Sequence, residues 1–286
     1  MNKLLLIILS SMITLSMACG FTVNFPIEKV STGPTQTEVI SIPSPDSPVS
    51  DLKIIFGAGD LEIEDGAEDV LVSGRARYNV PGFKPVIKQE GNEIHLETGN
   101  LEINSIPNIH KKIINEWDLR LGSQLMRLSI NAGAYKGDYD FGGLFLQLLE
   151  ITDGASDVKI SFSEPNKAQM DSLLYITGAS KVRMNGLANA NFSSMIFRAG
   201  AGDYELDFSG ELRKDTVAAI ESGISRVVII VPKGTSSRVI FRGGLAKVNA
   251  SEDWKKSGDI YELTGSSPLL TINIDMAAGN LELQTD

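Results

Sequence analysis

The chain has 286 residues, a formal net charge of −10, 42% hydrophobic and 22% charged residues, one Cys and two His. The acidic balance argues against nucleic acid as a partner and against electrostatic docking on anionic lipid, because the summed field repels both. A lone Cys excludes an intramolecular disulfide, and so few His and Cys exclude a metal site built from clustered His or Cys ligands.

Residues 1–18 combine a basic start at Lys3, an apolar run from Leu4 to Leu9 and a small-residue exit at Ala18, the layout of a secretory signal peptide. Cys19 follows directly. The segment resembles a bacterial lipoprotein signal, in which the Cys sulfur takes a diacylglycerol, although Ser16 stands where Leu is usual and Leu15 sits one place earlier. The plainer alternative is an ordinary signal peptide or membrane anchor with an incidental Cys. The expectation is a chain held at a membrane surface by acyl chains on Cys19. Residues 19–50 read as a tether, with Pro26, Pro34, Pro43, Pro45 and Pro48 among Ser and Thr. Within it, Glu38 to Ile42 alternates and is a candidate first edge strand, which would end the tether near residue 36.

Residues 51–122 read as a less regular β capping subdomain. Val70 to Tyr78 is a strand pair or a bent strand, Pro85 to Glu97 a hairpin turning at Gly91-Asn92, and Glu116 to Leu121 a further strand. Short helical turns are candidates at 106–116 and 164–173. Residues 123–286 repeat a unit in which alternating apolar residues flank a small-residue turn. These turns are Gly133-Ala134, Gly154-Ala155-Ser156, Gly178-Ala179-Ser180, Gly200-Ala201-Gly202, Gly223-Ile224-Ser225, Gly243-Gly244 and Ala277-Ala278-Gly279, and an earlier copy is Gly57-Ala58-Gly59. Apolar residues sit three and five positions before the turn Gly and four and six after it, so both flanking strands face one interior. A period of about 22 residues with two strands per coil predicts an all-β, flattened β-solenoid. A sandwich or barrel of antiparallel hairpins is the competing architecture.

Candidate chemistry is sparse. Ser156, Ser180 and Ser225 begin like nucleophile elbows, but Val158, Val182 and Val227 occupy the place where the elbow requires Gly. Neither His95 nor His110 belongs to a base motif. Gly57-Ala58-Gly59 and Gly200-Ala201-Gly202 lack the third Gly and following helix of a dinucleotide loop. Asp60, Asp157 and Asp203 lie in turns without the nine-residue repeat of a calcium roll. No cofactor, metal or catalytic residue is therefore expected. Trp117 and Trp254 are read as core or cap rather than as sugar-stacking surfaces. The third residue after each turn Gly is, in order, Asp60, Lys136, Asp157, Lys181, Asp203, Arg226, Ala246 and Asn280. With coils stacked in register, the first six form a structural edge ladder of alternating sign.

The order of Phe56-Gly57-Ala58-Gly59-Asp60-Leu61, Tyr78-Asn79-Val80, Trp117-Asp118-Leu119, Asp153-Gly154-Ala155-Ser156, Gly186 to Phe192, Leu206 to Gly210 and Ile230-Val231-Pro232 resembles the toast-rack family of bacterial envelope proteins. That family is related to LiaF-type cell-wall stress proteins and to adhesin-like proteins. The resemblance covers residues 50–286 and implies a solenoid-like β fold and an extracytoplasmic location, with no catalytic residues to carry over. The expected function is a lipid-anchored, non-enzymatic, adhesin-like binding or structural module of the bacterial cell envelope, whose partner is an envelope protein or glycan. The alternatives are an envelope-stress sensor that binds a membrane partner and a carbohydrate-active solenoid enzyme, which would need paired carboxylates on one face.

Overall fold

A computed structural model describes residues 32–99 and 112–286. The signal segment 1–18, Cys19, the first part of the tether and His110 lie outside the described residues. The elements are β1 (Gln36–Ile42), β2 (Ser50–Asp65), β3 (Val72–Tyr78), β4 (Pro85–Glu90), β5 (Glu93–Thr98), β6 (Asn115–Leu121), β7 (Met126–Asp140), β8 (Leu146–Ser161), β9 (Met170–Asn185), β10 (Phe192–Asp207), β11 (Thr216–Val231), β12 (Gly234–Ala250), β13 (Lys255–Ser257), β14 (Ile260–Leu263) and β15 (Gly265–Thr285). They join one open sheet in the order β1-β3-β6-β2-β7-β8-β9-β10-β11-β15-β12-β14-β13, with the β4–β5 hairpin attached to β2. The fold is an all-β solenoid. Among the described residues no helix is long and apolar enough to cross a membrane.

The two arms of each coil are one bent strand. On either side of the corner, β10 keeps a single register with β9, from Phe197↔Tyr175 through Ala201↔Ala179 to Tyr204↔Val182. The corner glycines form a row, and their purpose is close approach. A Cβ on Gly133 would sit 2.3 Å from the Gly57 carbonyl oxygen, and Cβ atoms on Gly178, Gly200 and Gly223 would each sit 2.5 Å from the carbonyl oxygen of the glycine one coil earlier. Stacked corners leave no room there for a side chain.

Both arms point alternate residues inward. The pre-corner row includes Ile54, Ile130, Ile151, Tyr175, Phe197, Ile220 and Ile274, and the post-corner row includes Leu61, Val158, Val182, Tyr204, Val227 and Leu281, all buried. Burying each large apolar side chain contributes about 1.5–3 kcal/mol. The segments that follow the second arm add Phe162, Leu187 and Phe208 to the buried core. No helical turn forms at 164–173. The buried Asn166 side chain instead accepts a bond from the Leu146 N–H and donates to the Leu146 and Ala168 carbonyls, and Met170 already begins β9. Of the other helical candidate, 106–111 lie outside the described residues and Asn115 starts β6. Two 3-10 turns, Pro81–Phe83 and Leu187–Ala190, have no counterpart in the sequence reading.

β2 pairs with β7 along both arms, so it belongs to the parallel stack. Its outer edge is divided: β5 covers Asp51 to Ile55, and β6 covers Asp60 to Asp65. Beyond β6 the sheet turns antiparallel through β3 to β1. β1 lies within residues 19–50, read from the sequence as a tether; the alternating Val39-Ile40-Ser41-Ile42 buries Ile40 and Ile42 and so outweighs the nearby prolines. At the other end the chain does not stack in order. β15 enters between β11 and β12, parallel to both.

Candidate binding surface

The outward residues of the post-corner arms form straight rows across the sheet. One row runs Thr37, Arg77, Glu116, Asp60, Lys136, Asp157, Lys181, Asp203, Arg226, Asn280, Lys247, each residue being the register partner of the next. The six residues of the anticipated ladder therefore occupy consecutive places. Two details differ. Ala246 is not a member, because Gly244, and not Gly243, takes the corner opposite Ala277 and brings Lys247 opposite Asn280. Asn280 precedes Lys247 because β15 is inserted before β12. Direct ion pairs close at Arg77–Glu116 (2.6 Å) and Arg226–Asp203 (3.2 Å), and Arg226 also bonds Glu282 at 2.9 Å. The bonds from Arg226 hold the Glu282 carboxyl below its ordinary range.

The row two residues further along has a different character. Arg75, Asp118, Glu62, Asp138 and Lys159 are successive register partners, which sets three carboxylates side by side at a strand spacing of about 4.8 Å. Partial burial pushes the Glu62 carboxyl up, and Asp118, Asp138, Asp60 and Glu64 push it further. An open groove of about 600 Å³ runs across β3, β6 and β2, lined by Thr37, Arg75, Arg77, Glu116, Asp118, Asp60 and Glu62. Among the described residues no group of three or more His, Cys, Asp or Glu is gathered closely enough to hold a metal ion. What the groove offers is guanidinium donors beside carboxylate acceptors on neighbouring strands, with Arg77 and Glu116 already paired. It is suited to a polar ligand lying across several strands. Apart from Asp60, the first member of the expected ladder, none of these residues was singled out from the sequence. The signal was present as Arg75, Arg77, Glu116 and Asp118 on alternate positions, but their antiparallel pairing beside β2 is not a repeat and left no period to detect.

The serines that open like elbows close the corners instead. Ser156 donates to Asp153 at 3.1 Å, Ser180 donates to Thr177 at 2.7 Å because the Thr177 proton goes to Asp153, and Ser225 donates to Ser222 at 2.9 Å. Val158, Val182 and Val227 are core residues. Asp153, 6% exposed, also accepts bonds from Tyr175 (2.6 Å), Tyr135 (3.3 Å) and Thr177. Burial pushes the phenols of Tyr135 and Tyr175 up, and the carboxylate adds to the effect. This buried polar cluster holds three adjacent coils, β7 to β9, in one register. Trp117 and Trp254 are buried, and Trp117 meets Phe56 edge-on at 5.2 Å. His95 bridges Glu93 at 2.8 Å and Glu97 at 3.3 Å on the surface of β5.

No curated protein matches the chain. Among solved structures it is similar to a "putative cell adhesion protein" from Clostridium sporogenes, at 19% identity and a TM-score of 0.47, covering 88% of this chain and 100% of that one. It is also similar to a "putative adhesin" from Bacteroides fragilis, at 10% identity and a TM-score of 0.37 over 90% and 99% of the two chains. A third is a "putative lipid binding protein" from Parabacteroides distasonis, at 10% identity and a TM-score of 0.39 over 89% and 99%. The family model described as the N-terminal domain of toast_rack matches residues 31–174, half of the chain. With its repeated corner and parallel bent strands, this chain belongs to the toast-rack family.

Proposed function

We propose that the protein is a lipid-anchored, non-catalytic binding module of the bacterial cell envelope, adhesin-like in action, with Cys19 as the anchor and a polar glycan as the ligand of the charged face. The observation that carries this reading is the groove across β3, β6 and β2, where Arg75 and Arg77 lie beside Glu116 and Asp118 and next to Asp60 and Glu62. Guanidinium groups donate to ring and carboxylate oxygens, and carboxylates accept from sugar hydroxyls. Rows fixed by the hydrogen-bond ladder hold these groups in place before the ligand arrives, which reduces the ordering cost of binding. Enzymatic cleavage by a carboxylate pair would need an acid and a base flanking one bond. Here the carboxylates form a continuous row, better suited to contact along an extended chain. The lipid anchor is supported by the position of Cys19 at the exit of the signal segment.

The reading is tested with the full chain carrying Cys19→Ser. The variant is expected in the soluble fraction while the wild type sediments with membranes, and continued membrane association of the variant would remove the anchor from the account. The same soluble chain is expected to be retained on one or more members of a glycan and peptidoglycan panel. No retention on any of them would remove the glycan.

A further inference from the structure

The two ends of the parallel stack are finished differently. At the β2 end, β5 and β6 cover both arms, and Leu61 and Ile63 are buried. At the β12 end only the first arm is covered. β14 pairs with Ser237 to Ile240, and the Phe241 N–H reaches the Asp259 carbonyl. From Arg242 to Ala250, β12 has β15 on one side and no backbone partner on the other among the described residues. The inward rows show the consequence. Val248 continues the row of Val227 and Leu281, and Ala250 continues that of Ile229 and Leu283, all four of these neighbours being at most 1% exposed. Yet Val248 is only half-buried and Ala250 is exposed, and the outward corner residue Leu245, 86% exposed, adds a further apolar group beside the edge. A long, unpaired strand edge beside open apolar residues is the feature that folded proteins ordinarily blunt, and that strand-adding partners use.

Charge identifies the kind of partner. In a chain of net charge −10, residues 234–250 carry Arg238, Arg242 and Lys247 and no carboxylate. Arg238 is neutralised by Glu262 at 2.8 Å. Arg242 and Lys247 each end a row. On one arm the row runs Arg198, Glu221, Asp275, Arg242, and on the other it ends Asp203, Arg226, Asn280, Lys247. Both rows end in a cation at the open edge, where a carboxylate at the next place would meet it as a cross-strand partner. An antiparallel pairing of two β12 edges would bring cations together, which disfavours a second copy. We propose that the outer edge of β12, from Arg242 to Ala250, docks an extended acidic strand of a partner protein, which adds to the sheet as its next coil with carboxylates opposite Arg242 and Lys247. This edge is remote in register from the β3–β2 groove, and the proposal stands whether or not that groove takes a glycan.

The probe is a labelled peptide copying residues 271–283 with Asn280→Asp and Glu282→Gln, which leaves two carboxylates spaced as Asp275 and Asn280 are spaced opposite Arg242 and Lys247 in β15. It is added to the full Cys19→Ser chain. The expected result is saturable binding, with amide exchange slowed in 242–250 and unchanged in β11. Binding is expected to weaken about tenfold in an Arg242→Glu/Lys247→Glu variant, the effect of two exposed pairs of about 0.7 kcal/mol each. Both side chains are exposed, and an unchanged Tm checks that the variant is folded. Three results would overturn the proposal: no slowing in 242–250, equal binding of a peptide with Lys at both acidic positions, or a chain already dimeric through this edge without peptide.

Discussion

Single residues in this protein are governed by what the neighbouring coil places against them. Gly202 and Gly57 occupy similar sequence contexts, yet a Cβ on Gly202 would meet the Ser180 carbonyl oxygen at 1.9 Å and one on Gly57 would meet nothing within 4 Å. Gly202→Ala is therefore expected to cost about 3 kcal/mol of unfolding free energy, and Gly57→Ala to change it by less than about 0.5 kcal/mol, both read by urea titration. Glu62 illustrates the electrostatic side. Its folded-state carboxyl is raised from the ordinary 4.5 by burial and by four neighbouring acids. A raised acid opposes folding when ionised, so the penalty is full above the raised value and disappears as pH falls below 4.5. Glu62→Gln is expected to raise Tm at pH 7 by roughly 1–2 °C. The difference from wild type should vanish below pH 4.5, and a difference that grew on acidification would contradict the carboxylate row.

At the scale of elements, the repeat was legible because each coil obeys the same two constraints. Alternation buries one face of each arm, and the corners at Gly133, Gly178, Gly200 and Gly223 exclude a Cβ. From these followed the inward residues, the all-β solenoid and the consecutive placing of Asp60, Lys136, Asp157, Lys181, Asp203 and Arg226. What a repeat cannot encode is the order in which coils stack. β15 has the same corner chemistry as its neighbours, with Ala277 in place of Gly, and nothing local says that it precedes β12 in space. The groove escaped for the related reason that β3 and β6 are antiparallel and aperiodic. The insertion of β15 has a measurable consequence. Ending the chain before Gly265 leaves β11 with a bare edge and β12 without its long partner. Amide protection is expected to be lost in β11 and β12 while β8 and β9 keep theirs, since each coil depends chiefly on its neighbours. Loss of protection throughout the stack would show that β15 is needed to nucleate the whole sheet.

For the whole molecule, the regular middle coils carry a packed interior, and the distinctive features lie at the two ends: a charged groove where β2 meets β6 and β3, and an unfinished edge along β12. The solenoid thus carries two surfaces of different chemistry, acidic with paired guanidiniums at one end of the sheet and basic with open apolar residues at the other. Held by the proposed lipid anchor at Cys19, such a molecule would present both surfaces to the envelope. The claim that the β3–β2 groove is the ligand-binding surface is tested most directly by charge reversal. Arg75→Glu/Arg77→Glu in the Cys19→Ser chain alters two exposed side chains and is compared with the parent on the retained glycan. The account predicts an unchanged Tm within about 2 °C and a loss of at least about tenfold in affinity, the scale of one or two charge-assisted hydrogen bonds. Retention equal to the parent would contradict it.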